Sequence, residues 1–116
     1  MGTITRHEPG PILSLAVEHG DTVYLAGIVA KNLKNDVKGQ TEEVLAEIDR
    51  LLAKAGSNKS KILQATLWVP DIRLRGAVNE VYTKWVDPKN LPARACIEAK
   101  LADPAALIEI MVTAAK

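Results

Sequence analysis

Ile62-Leu63-Gln64-Ala65-Thr66-Leu67-Trp68-Val69-Pro70 is the stretch on which the fold class turns. Leu63, Ala65, Leu67 and Val69 alternate with Gln64, Thr66 and Trp68, which is the period of a strand, and Pro70 ends the run. On both sides the period changes. Between Gly39 and Gly56, Val44, Leu45, Ile48, Leu51 and Leu52 recur at helical spacing, opposite a face of Glu42, Glu43, Glu47, Asp49, Arg50 and Lys54. An acidic first turn, a basic last turn at Lys54 and Gly56 just beyond suit the helix dipole and a left-handed C-terminal cap. After Pro70, Leu74, Val78, Val81, Tyr82 and Trp85 form one stripe of a second helix over 72–86, closed by Asp87-Pro88.

Further out, the pattern is that of strands. Thr22 to Ala30 is β-branched and apolar, and Ser14 to Glu18 pairs with it as a hairpin through His19 to Asp21. Gly10-Pro11 interrupts a strand begun at Thr3 to Arg6. Ala93 to Leu101 alternates, and Ala106 to Ala115 reads as a buried strand. The order is β-β-β-α-β-α-β-β, an α+β arrangement in which two helices cover one face of a sheet.

A chain of 116 residues with no linker-like stretch reads as one domain over 1–116. It has no Phe, so aliphatic side chains must fill the core. One cysteine, Cys96, excludes an internal disulfide. His7 and His19 add no ligand cluster, so no structural metal is expected. The amino-terminal stretch from Met1 lacks the apolar segment of a signal peptide, and no run of about 18 apolar residues occurs, which reads as cytoplasmic. Fifteen basic and fourteen acidic residues are interspersed, giving no field that would attract nucleic acid.

Gly56-Ser57-Asn58-Lys59-Ser60 lacks the glycines of a phosphate loop, and no serine elbow, H-E-x-x-H or G-x-G-x-x-G occurs. Two charges in apolar strands remain. In Pro92 to Ala99, Ala93, Ala95, Ile97 and Ala99 take one face and Arg94, Cys96 and Glu98 the other. In Leu107 to Val112, Glu109 is the only charge, and buried alone it would be costly. Arg94 and Glu109 could form a structural ion pair across a terminal hairpin, or Glu109 could guard an edge strand. Alternatively Arg94 offers its planar fork to a carboxylate ligand while Glu109 positions a water. Spacing does not choose between these.

Leu91 to Ala99, followed by Ile108-Glu109-Ile110, resembles the RidA family, also called YjgF. Tyr24-Leu25-Ala26-Gly27, Gln40-Thr41 and Val78-Asn79-Glu80-Val81-Tyr82 carry the resemblance over nearly the whole chain, and Ile48 to Leu52 with Gly56 to Ser60 and Ala65-Thr66 is similar to its YoaB-like branch. The resemblance implies a chorismate-mutase-like homotrimer with pockets between subunits and no cofactor. It also implies hydrolysis of 2-iminopropanoate and 2-iminobutanoate to 2-oxo acids and ammonia. Arg94 would bind the substrate carboxylate and Glu109 the attacking water. Backbone groups of Cys96 and Gly27 would meet the imine end, and Asn79 would join the substrate-binding set. The partner is thus a small carboxylate, not nucleic acid or membrane.

The chain departs from deaminase members where Ile12, Leu13 and Ser14 replace a tyrosine, and where Ala26 and Ile28 replace a serine and a glutamine, which implies a more apolar pocket. Met111 stands where a second glutamate is usual. These departures keep a non-catalytic carboxylate-binding role open. A ribonuclease role, attached to some relatives, finds little support in a near-neutral chain with two tyrosines and two tryptophans.

Overall fold

Alternation in the strands and 3.6-residue stripes in the helices divide the molecule into two layers. The computed structural model describes residues 2–116, so Met1 of the amino-terminal stretch lies outside the described residues. The strands are β1 (Ile4–Pro9), β2 (Ser14–His19), β3 (Thr22–Leu25), β4 (Ile28–Val29), β5 (Ile62–Val69), β6 (Ala93–Glu98) and β7 (Glu109–Ala115). The helices are α1 (Val37–Lys54) and α2 (Arg75–Trp85), the latter entered through a 3₁₀ turn at Ile72–Leu74. One mixed sheet runs β1-β2-β3-β7-β5-β6, with β4 also pairing β7. Only β5 and β6 are parallel, and α2 is the crossover such a pair requires.

Paired residues project to the same side of a sheet. On β5, Ala65, Leu67 and Val69 are buried, and with Ile110, Val112 and Ala114 of β7 they meet Val44, Ile48, Leu51 and Leu52 of α1 and Val78 of α2 in one core. The opposite face is uncovered and exposes Tyr24, Val29, Ile97 and Met111.

Several expectations need correction. The Thr22 to Ala30 strand is broken: Tyr24 pairs Thr113 and Ile28 pairs Ile110, so three residues on one strand oppose two on β7 and a bulge falls at Leu25 to Gly27. Helix α1 starts at Val37, before Gly39, and its first turn holds no acidic residue. Asp36 supplies the negative end instead, accepting from the Gly39 backbone N–H at 2.8 Å. Its C-terminus agrees with the reading. Gly56, at φ +82°, donates to Ala53 O and Ser57 donates to Leu52 O, closing a left-handed cap. The last two strands do not form a hairpin, because β5 lies between β6 and β7. The non-local pairing of the Ile62 to Val69 strand with both prevails over the shorter connection.

Gln40 is wholly buried near the start of α1. Its amide donates to the carbonyls of Leu33, Asn35 and Ala105, and its side-chain oxygen accepts from Leu107 N–H. One side chain thereby ties the loop before α1 to the segment leading into β7.

Candidate functional site

Arg94 pairs with Ala65, and Ala65 with Val112, so the guanidinium stands on the helix-covered side. The polar stripe Arg94, Cys96 and Glu98 therefore faces the helices, while Ala93, Ala95 and Ile97 face the open side. This is tolerable because β6 is an edge strand whose polar heads reach the rim of α2. Glu98 accepts from Ile72 N–H at 2.9 Å, and Cys96 is half-buried against the core.

Helix α2 holds Arg94. Asn79 and Tyr82, one turn apart, share a helix face. Arg94 Nη2 donates to Asn79 Oδ1 at 2.6 Å, and the guanidinium carbon lies 4.6 Å from the centre of the Tyr82 ring. Tyr82 is 5% exposed. Its hydroxyl is buried without a hydrogen-bond partner of good geometry. Burial pushes the phenol above its ordinary value, although the Arg94 cation draws it back. Among the described residues no carboxylate pairs with Arg94, so its remaining donors can serve a ligand.

Glu109 pairs with Trp68 and Val29, which puts it on the uncovered face. It is half-exposed, which removes the cost of burying a lone carboxylate. A Cβ at Gly27 would lie 2.2 Å from Glu109 Oε2, so the carboxylate fills space that any other residue would claim. A side chain at position 27 would have to displace that carboxylate.

Arg94 and Glu109 do not form the ion pair considered from sequence. They sit two strands apart and three residues out of step along β5, a Cα separation of roughly 14 Å, and they project from opposite faces. Gly27 also lines an open cleft of about 610 Å³ between α1 and the β2–β4 edge, with Leu15, Val29, Lys31, Glu43 and Arg50. Ile28 is 5% exposed and packs in the core, whereas Ile12 is 92% exposed at the tip of the β1–β2 loop. The residues thus fall into two groups: Arg94, Asn79 and Cys96 beside α2, and Gly27 with Glu109 across the sheet.

The sequence model of the Endoribonuclease L-PSP family matches residues 5–116. The chain belongs to this family. It is 42% identical to a RutC family protein of Haemophilus influenzae, with 97% of each chain covered. It is 39% identical to the RutC family protein YoaB of Escherichia coli, over 97% of this chain and 98% of that one. A YjgF family member from Neisseria meningitidis superposes with a TM-score of 0.94 at 38% identity, covering 98% of this chain and 95% of the other. The mixed sheet with two helices on one face is thus shared with the L-PSP family, and the family resemblance read from the sequence holds.

Sequence reasoning missed Tyr82 as a neighbour of Arg94 and assigned it to the apolar stripe of α2. The available signal was its hydroxyl, which a core position would leave without a partner. Asn79 touches Arg94, a contact its helical position alone does not disclose. No described helix is long and apolar enough to cross a membrane.

Proposed function

We propose that the chain is an imine deaminase acting on 2-iminopropanoate and 2-iminobutanoate, and that its site is shared between two copies in a homotrimer. The observation that carries this reading is an arginine stacked, braced and without a carboxylate partner among the described residues. A guanidinium so held is prepared for the planar carboxylate of an imino acid. Asn79 braces one edge and can donate its own amide hydrogens to the substrate. In this reading the backbone of Cys96, two residues along the same edge strand, would meet the imine end.

Glu109 supplies the second half of the chemistry. Its carboxylate would accept a proton from water as the water oxygen bonds to the imine carbon and pass it to the nitrogen, giving a carbinolamine, and would then relay the hydroxyl proton to the nitrogen as the carbon–nitrogen bond breaks. The products are a 2-oxo acid and ammonia, and no redox partner or cofactor enters. The separation and opposite facing of Arg94 and Glu109 within one chain favour a pocket that takes Arg94 from one copy and Gly27 with Glu109 from another. The apolar side chains exposed on the open sheet face are suited to burial between such copies.

The test uses 2-iminopropanoate generated in situ by a pyridoxal-phosphate dehydratase. Arg94→Ala is expected to lose accelerated hydrolysis while keeping the oligomer of the parent. Equal rates for parent and variant would refute the assignment. Binding of 2-oxobutanoate that is lost in Arg94→Ala, with hydrolysis no faster than buffer for the parent, would instead identify a carboxylate-binding protein.

A further inference from the structure

We infer that Tyr82 is a positioning residue: its ring fixes the plane of the Arg94 guanidinium, and a packed chain reaching α1 fixes the ring. The inference rests on the proposed role of Arg94 as a carboxylate holder. An arginine side chain has several rotatable bonds, and ordering it when a ligand arrives would cost affinity. Here the ordering is done beforehand by two contacts from one helix face, the 4.6 Å stack on Tyr82 and the 2.6 Å hydrogen bond to Asn79.

Tyr82 is itself held. Its ring centre lies 5.9 Å from that of Trp85, tilted by 51°. Trp85 Nε1 donates to Asp49 on α1 at 2.9 Å, and Lys59 lies over the Trp85 ring at 5.5 Å. Asp49, Trp85, Tyr82 and Arg94 therefore make a continuous series from α1 across α2 to β6. A leucine at position 82 is as apolar as a core position needs, but it offers no electron-rich face to a cation.

The experiment separates this role from packing. Position 82 is occupied in turn by tyrosine, phenylalanine, and mono- and trifluorinated phenylalanine, which keep the ring's shape while weakening the charge on its face. Affinity for 2-oxobutanoate is measured by calorimetry, and KM and kcat for 2-iminopropanoate by coupled assay. Kd and KM are expected to rise with each added fluorine, to about tenfold for the trifluorinated ring. For Tyr82→Phe they should stay within about threefold of the parent, and kcat should change less than KM throughout. Flat affinity across the fluorinated series, in proteins whose melting temperatures match, would overturn the inference. Arg94→Ala is the control: if it leaves 2-oxobutanoate binding unchanged, the carboxylate reading fails, whereas loss there with a flat fluorine series defeats the role of Tyr82 alone. Tyr82→Leu should weaken binding at least as much as trifluorination if it folds, and the fluorinated series decides the matter if it does not.

Discussion

The Glu109 carboxylate occupies the space above Gly27 that a side chain would fill, with Oε2 only 2.2 Å from an ideal Cβ at that position. The atom met is the end of a flexible side chain, so an added methyl displaces the carboxylate more readily than the backbone. Gly27→Ala is therefore expected to lower kcat for imine hydrolysis ~10- to 100-fold, since small misplacements of a reacting group are costly. Its melting temperature should stay near that of the parent, and kinetics beside a thermal melt check both halves.

Gln40 makes its contribution away from the chemistry. Replacing it with leucine leaves the Leu107 N–H without its acceptor and removes the donor to the carbonyls of Leu33, Asn35 and Ala105. Gln40→Leu should cost about 2–4 kcal/mol, read as a lower denaturant midpoint with an unchanged slope.

Glu8 supports the acid side of the stability profile. Hydrogen bonds from Arg50, and then from Lys54, hold its carboxyl down at about 2, below the ordinary value of 4.5. A carboxyl whose folded value is depressed binds fewer protons in the folded state, so its stabilisation is present above the ordinary value and is lost as pH falls towards 2. Glu8→Gln should therefore be less stable than the parent near neutral pH, and the gap should narrow as pH falls through that window. Urea midpoints at a series of pH values measure it. The Glu8 side chain keeps about 30% of its surface in water, so the gap should be small and should shrink in high salt.

The fold was largely legible because its signals are local. Ile62 to Val69 alternates and is a strand over those residues, and the stripe Val44, Leu45, Ile48, Leu51 and Leu52 lies in the core. Strand adjacency was not legible. A short turn after Ala99 invites a hairpin, but β5 can satisfy two neighbours and the chain places it between β6 and β7. The same gap explains the site. Alternation assigned Arg94 and Glu109 to faces of their own strands, yet whether those faces coincide depends on a shared neighbour that periodicity does not reveal. The bulge at Leu25 to Gly27, which sets Gly27 against Glu109, is likewise a one-residue mismatch between distant strands.

The central claim is that Arg94 of one copy and Glu109 of another build one site, and subunit complementation tests it most directly. Arg94→Ala and Glu109→Gln proteins, each inactive alone, are mixed in equal amounts, exchanged by mild denaturation and refolding, and assayed for imine hydrolysis. If each site draws on two copies, random assortment should restore about a quarter of the parent activity, because that share of interfaces carries both native residues. Mixed oligomers that contain both variants, verified by distinct tags, yet remain inactive would contradict the account.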